Sequence, residues 1–152
     1  MDLSEIMATN FASVTPETTV GDAARRMLEI DTGAAVVLEG EELAGVISER
    51  DLLRGIRDGA SADETVADRM TRHVMTAAPT TGLPEAMALM VDGHFRHLPV
   101  VNDEGHVIGL ASMRDLMAYT SLRLRHGSMG SDDDLDPAEV IATIHRMRTG
   151  AA

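Results

Sequence analysis

Ser48, Arg50 and Asp51 stand together in "GVISERDL" (45–52), and Ser112, Arg114 and Asp115 take the same places in "GLASMRDL" (109–116). A hydroxyl three residues ahead of a carboxylate has two uses when the pair opens a helix. Both are consistent with the spacing. In the first use, Ser48 and Ser112 are N-caps, and Asp51 and Asp115 reach back to close a capping box with Asp in place of Glu. In the second, the free N–H groups and positive dipole end of the helix attract a phosphate. The Ser hydroxyl adds a donor there. The carboxylate one turn on accepts hydrogen bonds from a ribose diol, as an acidic residue does in dinucleotide folds. Arg50 and Arg114 can neutralise the phosphate or simply be solvated. Gly45 and Gly109 allow backbone or ligand to come close.

The elements that must hold these residues come in two copies. "SVTPETTVGDAARRM" (13–27) lies over "TAAPTTGLPEAMALM" (76–90) at an offset of 63. "AAVVLEGEELAGVISERDLL" lies over "HLPVVNDEGHVIGLASMRDLM", the offset rising to 64 after one extra residue in the second turn. Two copies are too few for a solenoid and suggest a pseudo-symmetric pair burying a shared face. Each copy predicts a short strand (12–15; 74–77), a helix opened by polar caps or Pro84, two strands joined by "GEE" or "DEG", and a last helix from Glu49 or Met113. The fold class is therefore α+β, with β-α-β-β-α twice. Ala23, Met27 and Leu28 are spaced for one helical face, as are Ala86, Leu89 and Met90. "LSEIM" (3–7) and "TVADRM" (65–70) read as short helices ahead of each first strand. These elements set the boundaries at 1–64 for the first repeat and 65–125 for the second. Residues 126–136 form an acidic linker and 137–152 a C-terminal helix, whose stripe of Val140, Ile141, Ile144 and Met147 suits its own domain, a second copy or a partner.

Composition narrows the chemistry. The chain has 152 residues, no cysteine, and 13 basic residues that are all Arg. Disulfides, thiolate sites, a Cys nucleophile, a Walker A lysine and a Schiff base are excluded. The net charge of −12 argues against nucleic acid or an anionic membrane as partner. No signal peptide or membrane span is read, so the expected location is cytoplasmic. No Gly-x-Ser-x-Gly elbow, HExxH or GxGxxG occurs, and the chain is read as no enzyme. "HFRH" (94–97) places two His three apart without a carboxylate companion, which is weak for a metal.

The duplication, order and spacing of these stretches resemble a tandem pair of CBS domains, the regulatory modules named after cystathionine β-synthase. The resemblance runs from about residue 3 to 122. It implies two units packed through their sheets about a pseudo-twofold axis, with two clefts between them for adenosine compounds such as AMP, ADP, ATP or S-adenosylmethionine. It implies a ribose role for Asp51 and Asp115 and a phosphate-side role for Ser48 and Ser112. It adds Ser13 and Thr76 as cleft-lining hydroxyls, and Arg96 and His97 as a basic pair for phosphates. The first copy reads "GAAVV" (33–37) where the second has "RHLPVV", so the clefts are expected to be unequal. Val14, Ile47, Ala77 and Ala111 are expected to wall the base. A homodimer and signalling to an effector protein through changed shape are the family's implication. The alternative is a protein-interaction module without a small ligand, using the C-terminal helix or Met-rich faces.

Overall fold

A computed structural model describes residues 1–127. The acidic stretch from 128 and the C-terminal helix expected over 137–152 lie outside the described residues. The first repeat runs β1 (Ala12–Val14), α1 (Val20–Ile30), β2 (Ala34–Glu39), β3 (Glu42–Ser48) and α2 (Glu49–Arg57). The second runs α3 (Leu83–Asp92), β4 (His97–Val101), β5 (Val107–Ser112) and α4 (Met113–Gly127). α4 thus extends two residues into the stretch read as linker.

β1 pairs parallel with β2, and β2 pairs antiparallel with β3. β4 and β5 form the matching hairpin, also antiparallel. The strand expected over 74–77 is reduced to one parallel bridge between Ala77 and Val100. Ala77 N–H donates to Pro99 and Val101 N–H donates to Ala77. Pro99 has no N–H to offer the preceding residues, so the ladder cannot extend back toward Met75. Val36 holds the matching place in the first repeat, and there the ladder is complete.

Side chains alternate across each strand. Ala35, Val37 and Ile47 pack under the first repeat's helix with Ala23 and Met27. Leu98, Val100 and Ala111 do the same with Ala86, Met90 and Leu116. The opposite faces meet in a third cluster, where Ala34, Val36 and Val46 pack with Leu110. This seam is the shared face that the duplication suggested. Leu28 departs from expectation, since it is 81% exposed while Ala23 and Met27 are buried. Positions four apart point the same way, but the next residue turns a further 100° or so, off the core face.

The short helical turns ahead of each repeat cross over. Residues 3–5 form a 3₁₀ turn that packs on the second repeat. Leu3 N–H donates to Thr81, Ser4 N–H to Pro79, and Ala8 bridges Leu110 in both directions. Leu3 and Ile6 belong to the second repeat's core. The turn at Val66–Asp68 packs on the first repeat. Val66 N–H donates to Thr18, Ala67 N–H to Pro16, and Thr71 pairs with Val46. Val66 and Met70 belong to the first repeat's core. Burying Leu3 and Val66 completely is worth about 2 kcal/mol each. The glycine of each "G-x-x-S-x-R-D" stretch makes this possible. A Cβ at Gly45 would meet Thr71 O at 2.5 Å and Met70 Sδ at 3.1 Å, and one at Gly109 would meet Met7 Sδ and Cγ. The close approach read from these glycines is thus made by protein, from the segment before the opposite repeat.

The chain between α2 and this second turn is tied by ion pairs. Arg57 bonds Asp58 at 2.9 Å, and Arg69 bonds Glu64 at 2.8 Å and Asp58 at 3.3 Å. The side-chain hydrogen bond from Arg57 holds the Asp58 carboxyl below its ordinary value, and the bond from Arg69 does so for Glu64.

Candidate functional site

Both caps form as read. Ser48 N–H and Oγ donate to Asp51 Oδ2 at 2.8 and 2.9 Å, and Asp51 N–H returns to Ser48 Oγ. Arg54 adds a contact to Asp51 Oδ1 at 3.3 Å. In the twin, Ser112 Oγ donates to Asp115 Oδ2 at 2.6 Å and Asp115 N–H donates to Ser112 Oγ at 3.2 Å. A cap does not exclude a site here. The carboxylate is fixed in one rotamer at the mouth of a helix N-terminus, which is where a bound polyol or anion meets it.

The two caps open onto different surroundings. Beside Ser48, Arg50 and Asp51 lies a cleft of about 370 Å³ that reaches the second repeat. Arg54, Arg96, His73, His94 and His97 bring positive or protonatable groups to it, against the single carboxylate of Asp51. Val46, Val74, Met75 and Phe95 supply its apolar surface. Arg50 Nη1 reaches His94 O across the cleft at 3.5 Å. The second cleft, of about 490 Å³, holds Ser112 and Arg114 with Arg96, His97, Asp31, Gly33 and Glu49. Two arginines face two carboxylates there. Asp115 is 1% exposed and does not line it.

The inequality of the clefts therefore holds, with its source visible. Glu49 N–H donates to Gly33 O at 3.0 Å, and Met113 N–H donates to Arg96 O at 2.9 Å. Gly33 and Arg96 are thus counterparts in the two repeats. Arg96 and His97 line both clefts. A Cβ at Gly33 would come within 3.1 Å of the His97 ring and 2.8 Å of Glu49 Oε1. The first repeat is small at this point because the His97 ring of the second repeat and its own Glu49 carboxylate occupy the space.

Other sequence expectations are placed elsewhere. Ser13 sits in β1 opposite Val36 and lines neither cleft. Thr76 lines a third cavity, of about 740 Å³, beside the hairpin turns with Glu41, Glu104 and His106. Val14, Ile47, Ala77 and Ala111, expected as walls, are core residues at 7%, 0%, 6% and 1% exposure. Strand alternation points Ile47 and Ala111 at the helices, and Val46 takes the wall position instead. Sequence reading missed His73, Arg54 and Phe95. Their only signal was adjacency to "VMT", "RDLLR" and "HFRH", which says nothing of which side of the seam they face. His94 and His97 do line one cleft, but among the described residues no group of three His, Asp or Glu side chains is placed to hold a metal.

A family model for the CBS domain matches residues 3–58 and again residues 66–121. The mitochondrial CBS domain-containing protein CBSX3 of Arabidopsis thaliana is 42% identical over 110 residues, covering 68% of this chain and 53% of that one. The chain thus spans about half of that relative's length. The inosine-5'-monophosphate dehydrogenase of Halobacterium salinarum is 32% identical over 126 residues, 82% of this chain and 24% of the enzyme. A pair of this kind therefore also occurs within an enzyme chain. Among solved structures, CBSX2 in complex with AMP superposes with a TM-score of 0.67 at 26% identity, covering 82% of this chain and 98% of that one.

Proposed function

This chain belongs to the CBS-domain family, and from that premise we propose that it is a regulatory module that binds an adenosine phosphate in the cleft beside Ser48 and Asp51. One observation carries the reading: that cleft joins a helix N-terminus and a fixed carboxylate to six basic side chains from both repeats. The ribose diol bonds Asp51, displacing the weak contact from Arg54. The phosphate meets the Arg50 and Arg96 guanidiniums at the N-terminal end of α2, since the Glu49 and Asp51 amides are already bonded to Gly33 O and Ser48 Oγ. The base rests on Val46, Val74, Met75 and Phe95. An anionic ligand such as AMP, ADP or ATP suits this charge better than the cationic sulfonium of S-adenosylmethionine.

Binding draws residues 93–97 of one repeat toward residues 46–54 of the other, and the output is a change of shape rather than catalysis. A ligand achieves this only by preferring one conformation. We read the signal as passing to an effector protein or a second copy. Leu28, Leu53 and Ile56 on the first repeat's helices, and Val91, Met117 and Leu124 on the second's, are exposed and apolar, which supports a homodimer joined through the helices. No helix among the described residues is long and apolar enough to cross a membrane, and we place the protein in the cytoplasm. The same apolar helices favour the second reading, an interaction module without a small ligand.

Calorimetry and thermal shift with adenosine, AMP, ADP, ATP and S-adenosylmethionine decide between them. The expected result is a rise in melting temperature with the phosphates, weakened at least tenfold by Asp51→Asn. Flat responses to every nucleotide, or equal binding by Asp51→Asn, refute the assignment.

A further inference from the structure

The two clefts share one guanidinium. Arg96 lines both, and among the described residues no hydrogen bond or ion pair ties its side chain down. Its backbone is fixed by the bond from Met113 N–H to Arg96 O, so one side chain on a stationary root stands at both openings. The consequences differ on the two sides. The first cleft keeps Arg50 and Arg54 when Arg96 is elsewhere. The second balances Asp31 and Glu49 against Arg96 and Arg114, and loses that balance when Arg96 leaves. Without Arg96 it is left with Arg114 and His97 against the two carboxylates and holds a phosphate less well.

Resting on the nucleotide-binding role of the first cleft, we propose that occupancy of that cleft by an adenosine phosphate suppresses phosphate binding in the second, because both ligands draw on Arg96. Linkage makes the effect reciprocal in free energy. It depends on the phosphate, since a nucleoside without one makes no demand on the guanidinium. The module then reports low ligand through one cleft and high ligand through the other, with a gap between the two responses set by one side chain.

The test is a calorimetric titration of the full chain with AMP, and in parallel with adenosine. Asp51→Asn disables the first cleft and Arg114→Gln the second without adding a carboxylate that would hold Arg96, and each residue lines one cleft alone. Wild type is expected to show two AMP steps. Arg114→Gln removes the weaker and leaves the stronger unchanged. Asp51→Asn removes the stronger and tightens the remaining step about tenfold over its wild-type value. Arg96→Gln weakens both steps and abolishes the coupling. With adenosine, Asp51→Asn leaves the second cleft's affinity as it was. An AMP affinity at the second cleft that Asp51→Asn does not raise overturns the coupling while leaving the nucleotide assignment standing. So does an equal gain with adenosine. Absence of any AMP binding by wild type overturns the assignment, and the coupling with it.

Discussion

Gly45→Ala and Gly109→Ala are the same change at twin positions, and they are expected to have unequal effects. At Gly45 the new methyl meets Thr71 O at 2.5 Å, and a backbone atom cannot rotate away. The strand segment must retreat. It is held by Val46 N–H to Thr71 O at 3.0 Å and Thr71 N–H to Val46 O at 2.8 Å. Loosening both bonds costs about 2 kcal/mol, within the usual 1–3 kcal/mol range for overpacking a core. The stiffer unfolded chain returns about 0.4–1 kcal/mol. The net loss is about 1–2 kcal/mol, and a domain of this size loses roughly 2–4 °C for each kcal/mol. At Gly109 the nearest neighbours are Met7 Sδ and Cγ, the flexible part of an unbranched side chain, with Met7 Cβ at 3.2 Å and no backbone atom among them. Repacking it costs under about 1 kcal/mol. Paired thermal melts of the two variants, checked by urea unfolding, give the comparison. Gly109→Ala melting as low as Gly45→Ala or lower refutes the argument, because flexible sulfur would then resist a methyl as firmly as a carbonyl. Thr71 also lines the first cleft, so Gly45→Ala should weaken AMP and Gly109→Ala should not.

Three other outcomes rest on the same geometry. Asp58 and Glu64 are held below their ordinary carboxylate values by Arg57 and Arg69, so their support is complete above that range and is lost as pH falls from it through the lowered folded values. Arg69→Gln should flatten the acid-side decline of melting temperature; an unchanged slope counts against the pairs. Ser48→Ala removes the cap of α2 and is expected to cost about 1 kcal/mol by urea unfolding, against nothing measurable if the cap is idle. The double change Leu28→Glu with Ile56→Glu alters residues 81% and 74% exposed, so the fold should persist while sedimentation shifts toward monomer. A dimer of undiminished stability places the interface elsewhere.

Much of the fold was legible in the sequence because local rules decide it. Ser48 and Asp51, three apart before a helix, have the spacing of a cap, and the cap forms. β2 and β3 came from the short apolar runs "AAVVLE" and "LAGVIS" joined by "GEE", with β3 starting one residue earlier, at Glu42. The duplicated spacing announced two halves with a common face. What local rules do not contain is which half a segment serves. "LSEIM" and "TVADRM" read as helical turns, and each crosses to the opposite repeat. The pairing of Met7 with Gly109 and Met70 with Gly45 is a matter of large against small, invisible until both are in space. Ser13 and Thr76 came from resemblance alone, and the structure puts them away from the two clefts. Pro99 stands only in the second copy, within "RHLPVV". Its effect on the ladder at Met75 depends on which strand edge its missing N–H would have faced.

The crossed segments also give the chain an order of assembly. As the chain leaves the ribosome from its N-terminus, everything the first repeat's core needs emerges by residue 71. The second repeat needs residues 2–8, which by then have long been made and have no partner until Thr81 and Leu110 arrive. Leu3 and Ile6 therefore lack their native partners until the second repeat follows, and α4 closes on a piece made before the first repeat. The first half is completed by a segment made after it, the second by one made before.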